Sequence, residues 1–195
     1  MNLPDWFSSP LQMDAFIVSF YAWGIVELIN TVLLGRRRAG GKGKDQGSYF
    51  AVMAAIYLAV VAAYWTRQLS WGLVPGPLQW LGLVLVWSGM LVREWAVLSL
   101  GRAFTVVVET SPNQSLITAG PYRWVRHPSY TGSILTVGGF GLAAGSWLGA
   151  ALAVAILFAG YSYRVHVEER ALQDVFGEPY RAYMRRTGRF FPRVR

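Results

Sequence analysis

Gly120-Pro121-Tyr122-Arg123-Trp124-Val125-Arg126-His127-Pro128-Ser129-Tyr130-Thr131-Gly132 packs two arginines, a histidine, three aromatics and two prolines between long apolar stretches. Proline at the first position of a helix forfeits no hydrogen bond, so Pro128 marks a helix start. So dense a polar and aromatic cluster at the mouth of an apolar helix points to a binding surface at a membrane boundary.

Composition supports that setting. Of 195 residues, 54% are hydrophobic and 14% charged, against roughly 25% charged in soluble domains. Several apolar runs approach the ~20 residues that cross a hydrocarbon core. The chain therefore reads as an all-α integral membrane protein. The net charge of +8 sits beside apolar spans, which suits membrane lipid headgroups and topology signals rather than nucleic acid. There is no cysteine, which excludes thiolate nucleophiles and cysteine metal sites. No basic stretch with a cleavage site opens the chain, so no signal peptide is expected.

Five spans are expected, at about 12–34, 48–66, 78–100, 129–144 and 147–165, the last two forming a helical hairpin. Arg36, Arg37, Arg38, Lys42 and Lys44 follow the first, Arg102, Arg123 and Arg126 the third, and eight arginines lie from Arg164 onward. The opposite side has only Arg67. The positive-inside rule then puts the N-terminus outside and the C-terminus in the cytoplasm. Residues 1–100 are expected to form a three-helix membrane region and 101–195 a second region, within one compact unit. Gly40-Gly41-Lys42-Gly43-Lys44 lacks the spacing and the following Ser/Thr of a phosphate loop and reads as a basic connector. The last long helix is expected to run through Phe176 and break at Gly177. An amphipathic helix from about Pro179 to Arg186 should then lie at the membrane interface, with Tyr180, Tyr183 and Met184 on one face.

Arg164 and Glu168 share a helix face, with Glu169 adjacent. Spacing alone favours an ordinary ion pair. The sharper reading is a site with one fixed positive and one fixed negative charge. His127 alone reads as a structural hydrogen-bonding group, and its distance from His166 gives no metal signature. Arg93, Glu94 and Glu27, inside spans, are expected to pair with one another or to snorkel rather than to act in catalysis. Gly138, Gly139 and Gly141 permit close helix packing.

The pattern Gly120-x-Tyr122-x-x-x-Arg126-His127-Pro128-x-Tyr130-x-Gly132 resembles the signature of the isoprenylcysteine carboxyl methyltransferase family. So does the tail: Arg164-x-x-x-Glu168-Glu169, Phe176-Gly177-x-x-Tyr180-x-x-Tyr183, then Gly188-Arg189-x-x-Pro192. The likeness covers about half the chain. It implies an S-adenosylmethionine-dependent membrane enzyme that yields S-adenosylhomocysteine and lacks a dinucleotide-type fold. By resemblance, Glu109, Gln114, Ser115, Leu116, Ile117, Tyr122, His127, Pro128, Ser129, Tyr130 and Glu168 contact the cofactor, and Arg164 holds the substrate. Arg164 and Glu168 are the implied catalytic pair, and with the resemblance their functional reading overtakes the ion-pair reading.

The implied acceptor is a lipophilic or prenylated carboxylate of the isoprenylcysteine type. Phospholipid N-methylation and small-thiol S-methylation stay open as alternatives. So do a non-catalytic lipid-binding membrane protein and a nicotinamide-dependent lipid reductase. An amine or thiol acceptor needs a base, for which only Glu168, Glu169 or His127 is at hand.

Overall fold

The computed structural model describes residues 7–34, 47–69, 72–101 and 116–193. Glu109, Gln114, Ser115 and the glycine-lysine connector lie outside them. Among the described residues there are six α-helices: α1 Pro10–Ile29, α2 Ser48–Arg67, α3 Gly76–Leu100, α4 Pro128–Ala143, α5 Trp147–Phe176 and α6 Glu178–Arg186. Four of them, α1, α2, α3 and α5, are long and apolar enough to cross a membrane. The expected hairpin forms, but α4 has 16 residues and is not among those four.

Local chemistry sets the helix ends. Ser9 caps α1 by accepting from the Gln12 amide, with Pro10 at the first position. Pro128 opens α4, and Ser146 caps α5 by accepting from the Gly149 amide at 2.9 Å. Gly145, at φ 88°, makes the left-handed turn between α4 and α5. Gly177, at φ 56°, ends α5 at the expected break.

The framework is α3 against α4 and α2 against α5, with α4 joining the two pairs. The α3–α4 contact is nearly backbone to backbone. A Cβ added at Gly89 would stand 2.6 Å from the Gly132 carbonyl oxygen, and one at Gly139 would stand 2.7 Å from the Val86 nitrogen. Dispersion between main chains, rather than apolar burial, holds helices together in lipid, and small residues permit it. The expected packing role of Gly139 thus has a definite partner in α3.

Helix α1 is the least buried span. Phe16, Phe20 and Trp23 surround Phe140 of α4 with centroids 5.6, 5.8 and 5.7 Å away. Polar ties complete its attachment: Trp87 Nε1 donates to Ser19 Oγ at 3.1 Å, Gln12 Nε2 donates to the Gly76 carbonyl, and Glu27 pairs with Arg93.

Gly139→Leu should force α3 and α4 apart and destabilise the protein by about 1–3 kcal/mol, read as a lower melting temperature in detergent. Gly24→Ala, with nothing within 4 Å of its added Cβ, should leave that temperature unchanged or slightly higher.

Candidate active site

The site is built where α4 begins and α5 emerges. Pro121 and Tyr122 lie in a 3-10 turn, Gly120–Arg123, and both are buried. From there the chain runs alongside the tail. The Arg126 amide donates to the Gly188 carbonyl at 2.8 Å and the His127 amide to the Arg189 carbonyl at 3.0 Å. Thr131 Oγ1 adds a bond to the Phe190 carbonyl at 2.8 Å.

Glu169 fastens this arrangement from α5. Its Oε1 accepts from Arg126 Nε at 2.7 Å and its Oε2 from Arg189 Nε at 3.0 Å. Arg126 also donates to the Met184 and Thr187 carbonyls. One buried carboxylate thus binds loop, helix and tail together. Arg126 and Arg189 carry the charge that makes its burial tolerable. Glu169 is thereby occupied in structure, not poised as a base.

The apolar face of α6 turns inward, correcting the expectation that it meets the membrane. Tyr180 and Tyr183 are buried, and Tyr183 Oη donates to the Tyr122 carbonyl at 2.6 Å. A buried phenol needs such a partner. Burial pushes the Tyr183 phenol up to about 12. Burial, with the neighbouring Glu168 carboxylate, also drives Tyr122 well above the ordinary range. Both phenols therefore remain protonated donors.

Tyr130 stands at the centre. Its Oη accepts from Arg164 Nε at 2.8 Å and donates to Glu168 Oε2 at 2.7 Å. One face of its ring stacks on Tyr161, with centroids 4.5 Å apart, and the ring also lies parallel to His127, with centroids 5.5 Å apart. His127 is buried. Its Nε2 comes within 3.4 Å of Glu169 Oε1 but is not aligned for a hydrogen bond. Its Nδ1 lies 3.8 Å from Glu168 Oε2.

A cavity of about 450 Å³ opens on one side of Tyr130. Residues of α1 to α5 line it, including Trp23, Val52, Ile56, Val137 and Leu157, and its charged residues among those described are Glu27, Arg93 and Arg164. Glu168 and His127 are not part of that lining.

The structure therefore brings Tyr122, His127, Pro128, Ser129, Tyr130, Arg164 and Glu168 into one region. Ser129 turns its hydroxyl to Arg93 and the cavity. Leu116 and Ile117 are half-buried in the irregular run before the 3-10 turn. Tyr161, which stacks on Tyr130, escaped the sequence reading, because an aromatic in an apolar span looks like any lipid-facing or core residue.

Residues 80–174 match the model of the isoprenylcysteine carboxyl methyltransferase (ICMT) family. A probable protein-S-isoprenylcysteine O-methyltransferase of Oryza sativa subsp. indica is 34% identical over 106 residues, covering 53% of this chain and 56% of that protein. The protein-S-isoprenylcysteine O-methyltransferase of Schizosaccharomyces pombe is 30% identical over 108 residues, covering 54% and 46%. The chain thus spans about half the length of these curated relatives. The solved eukaryotic intramembrane Ras methyltransferase ICMT superposes with a TM-score of 0.62 at 21% identity, over 95% of this chain and 68% of that one. The two share the membrane fold.

Arg126→Ala should leave Glu169 short of its buried partner and cost on the order of 3 kcal/mol. Limited proteolysis should then cut near Thr187 faster than in the parent, whereas Arg181→Ala, on the exposed face of α6, should not change the cleavage rate.

Proposed function

From the match of residues 80–174 to the isoprenylcysteine carboxyl methyltransferase family, we propose that this integral membrane protein transfers a methyl group from S-adenosylmethionine to a carboxylate on a lipophilic acceptor of the isoprenylcysteine type. The observation that carries the reading is Tyr130 Oη, held between Arg164 and Glu168. It separates a guanidinium that lines an apolar cavity from a carboxylate that does not.

The donor set fits a cationic amino-acid cofactor. Only Oε2 of Glu168 is engaged among the described residues, which leaves Oε1 to accept from an ammonium or hydroxyl. His127 lies beside it, buried, and its Nε2 has no hydrogen-bond partner among the described residues. Tyr122 and Pro128 complete that wall, whereas Ser129 turns to Arg93 and the acceptor cavity. Glu109, Gln114, Ser115, Leu116 and Ile117 are proposed, by the same resemblance, to close it.

S-adenosylmethionine, when bound, supplies a sulfonium-activated methyl group. The acceptor carboxylate needs no base, which agrees with the structural employment of Glu169. Arg164, whose Nε donates to Tyr130 and Nη1 to Ser48, supplies a fixed positive charge for that carboxylate. Tyr130 fixes Arg164 and Glu168 relative to each other, so attack is governed by proximity and alignment. The cavity, with Val52, Ile56, Val137 and Leu157, accommodates the apolar chain of the acceptor and excludes water.

Helix α4 lies along α3 through its glycines, and we count it as the fifth crossing. The basic loops then put the N-terminus outside and the C-terminus with the active site in the cytoplasm. Residues 101–195 form the catalytic region, and residues 1–100 supply the membrane wall of the cavity.

A radiolabelled methyl-transfer assay against farnesylcysteine analogues, phosphatidylethanolamine and small thiols tests the reading. Carboxylate acceptors should be labelled. Arg164→Ala should abolish that labelling with little change in S-adenosylhomocysteine affinity, while Glu168→Ala should weaken that affinity by about tenfold or more. Normal turnover by both variants would overturn the assignment.

A further inference from the structure

Three residues on three helices make a polar cluster that this reading leaves unused. Arg93 of α3 presents Nε and Nη2 to the two oxygens of Glu27 on α1, the Nη2 bond measuring 2.6 Å. Its Nη1 donates to Ser129 Oγ of α4 at 2.7 Å. All three line the cavity that Arg164 also lines.

The two guanidiniums stand at matching depth. Arg93 is as far along α3 from Gly76 as Arg164 is along α5 from Trp147, about 25 Å at 1.5 Å per residue. Helices α3 and α5 run the same way, because α4 returns the chain between them. Without its carboxylate partner, Arg93 would present an unpaired guanidinium to this cavity of a membrane protein, and guanidinium donors match phosphate oxygens in pairs. Phospholipid headgroups are the most abundant anions in that setting.

Glu27 removes this hazard. Its carboxylate takes the paired donors of Arg93 that a phosphate would otherwise take. Arg93 then has no paired donors left to offer a new ligand. Discrimination by an element that disfavours the wrong ligand is a general route to specificity. Glu27 lies on α1, outside the residues that match the family model. The neighbouring pair, in which Asn30 Nδ2 donates to Glu94 Oε1 at 2.7 Å, ties the turn that follows α1 to α3 without engaging Arg93.

We propose that Glu27 is a specificity-determining residue, which chelates Arg93 and thereby keeps phosphate-bearing lipids out of the acceptor cavity. This rests on the preceding reading only in identifying the cavity with the acceptor.

The test uses the full chain in detergent micelles doped with phosphatidic acid. Retained lipid is measured by native mass spectrometry, and inhibition of methyl transfer to a farnesylcysteine analogue is measured in parallel. Glu27→Gln should retain about tenfold more phosphatidic acid than the parent and be inhibited at correspondingly lower lipid. Glu27→Ala should behave alike, which guards against one variant failing to fold. Adding Arg93→Gln to either should return retention to the parental level. Unchanged retention in both single variants, or retention that survives loss of Arg93, would overturn the proposal. A purely structural tie would lower melting temperature in all variants without moving lipid retention. A parent protein that methylates none of the acceptors would sink the functional reading, yet the retention result would still decide the role of Glu27 against phosphate.

Discussion

Glu169 accepts from Arg126 on one oxygen and from Arg189 on the other, and the wall of the site hangs on that buried carboxylate. Without it, Arg126 and Arg189 lose their shared anion, and the loop before α4 and the tail after α6 keep only neutral hydrogen-bond acceptors between them. A desolvated charge is costly unless paired and hydrogen-bonded, so the three segments stay assembled or expose it. The inward turn of Tyr180 and Tyr183 follows from the same closure.

With that wall fixed, Tyr130 becomes a divider. Its ring is clamped by Tyr161 and His127, and its hydroxyl by Arg164 and Glu168. The apolar cavity lies to the Arg164 side. The glycine contact between α3 and α4 brings Arg93 within reach of Ser129. Membrane packing and active-site geometry are therefore one construction: a change of spacing between α3 and α4 would move Ser129 and Tyr130 together.

Much of this was legible in the sequence because it rests on local signals. Pro128 announced α4, Gly177 ended α5, and apolar length marked the four long spans. The polar residues of the site were visible because arginine, glutamate and histidine are conspicuous in so apolar a chain. What escaped depends on distance in sequence. Nothing near Glu169 says that its partners are Arg126 and Arg189, and its position beside Glu168 made it look like a reserve base. The amphipathic face of α6 reads equally well as membrane-facing or protein-facing. Only the packing of Tyr183 on Tyr122 decides between them. Glu27 and Arg93 were expected to pair, but the pattern of their helices did not reveal that the pair lines the same cavity as Arg164.

The central claim is that Tyr130 divides a cofactor side from an acceptor side. A structure solved with S-adenosylhomocysteine and a farnesylcysteine analogue tests it most directly. The account predicts the nucleoside against His127 and Glu168, the apolar chain between α1 and α2, and the acceptor carboxylate at Arg164 beside the Tyr130 hydroxyl. Finding S-adenosylhomocysteine in the cavity at Arg93, or the apolar chain on the Glu168 side, would contradict it.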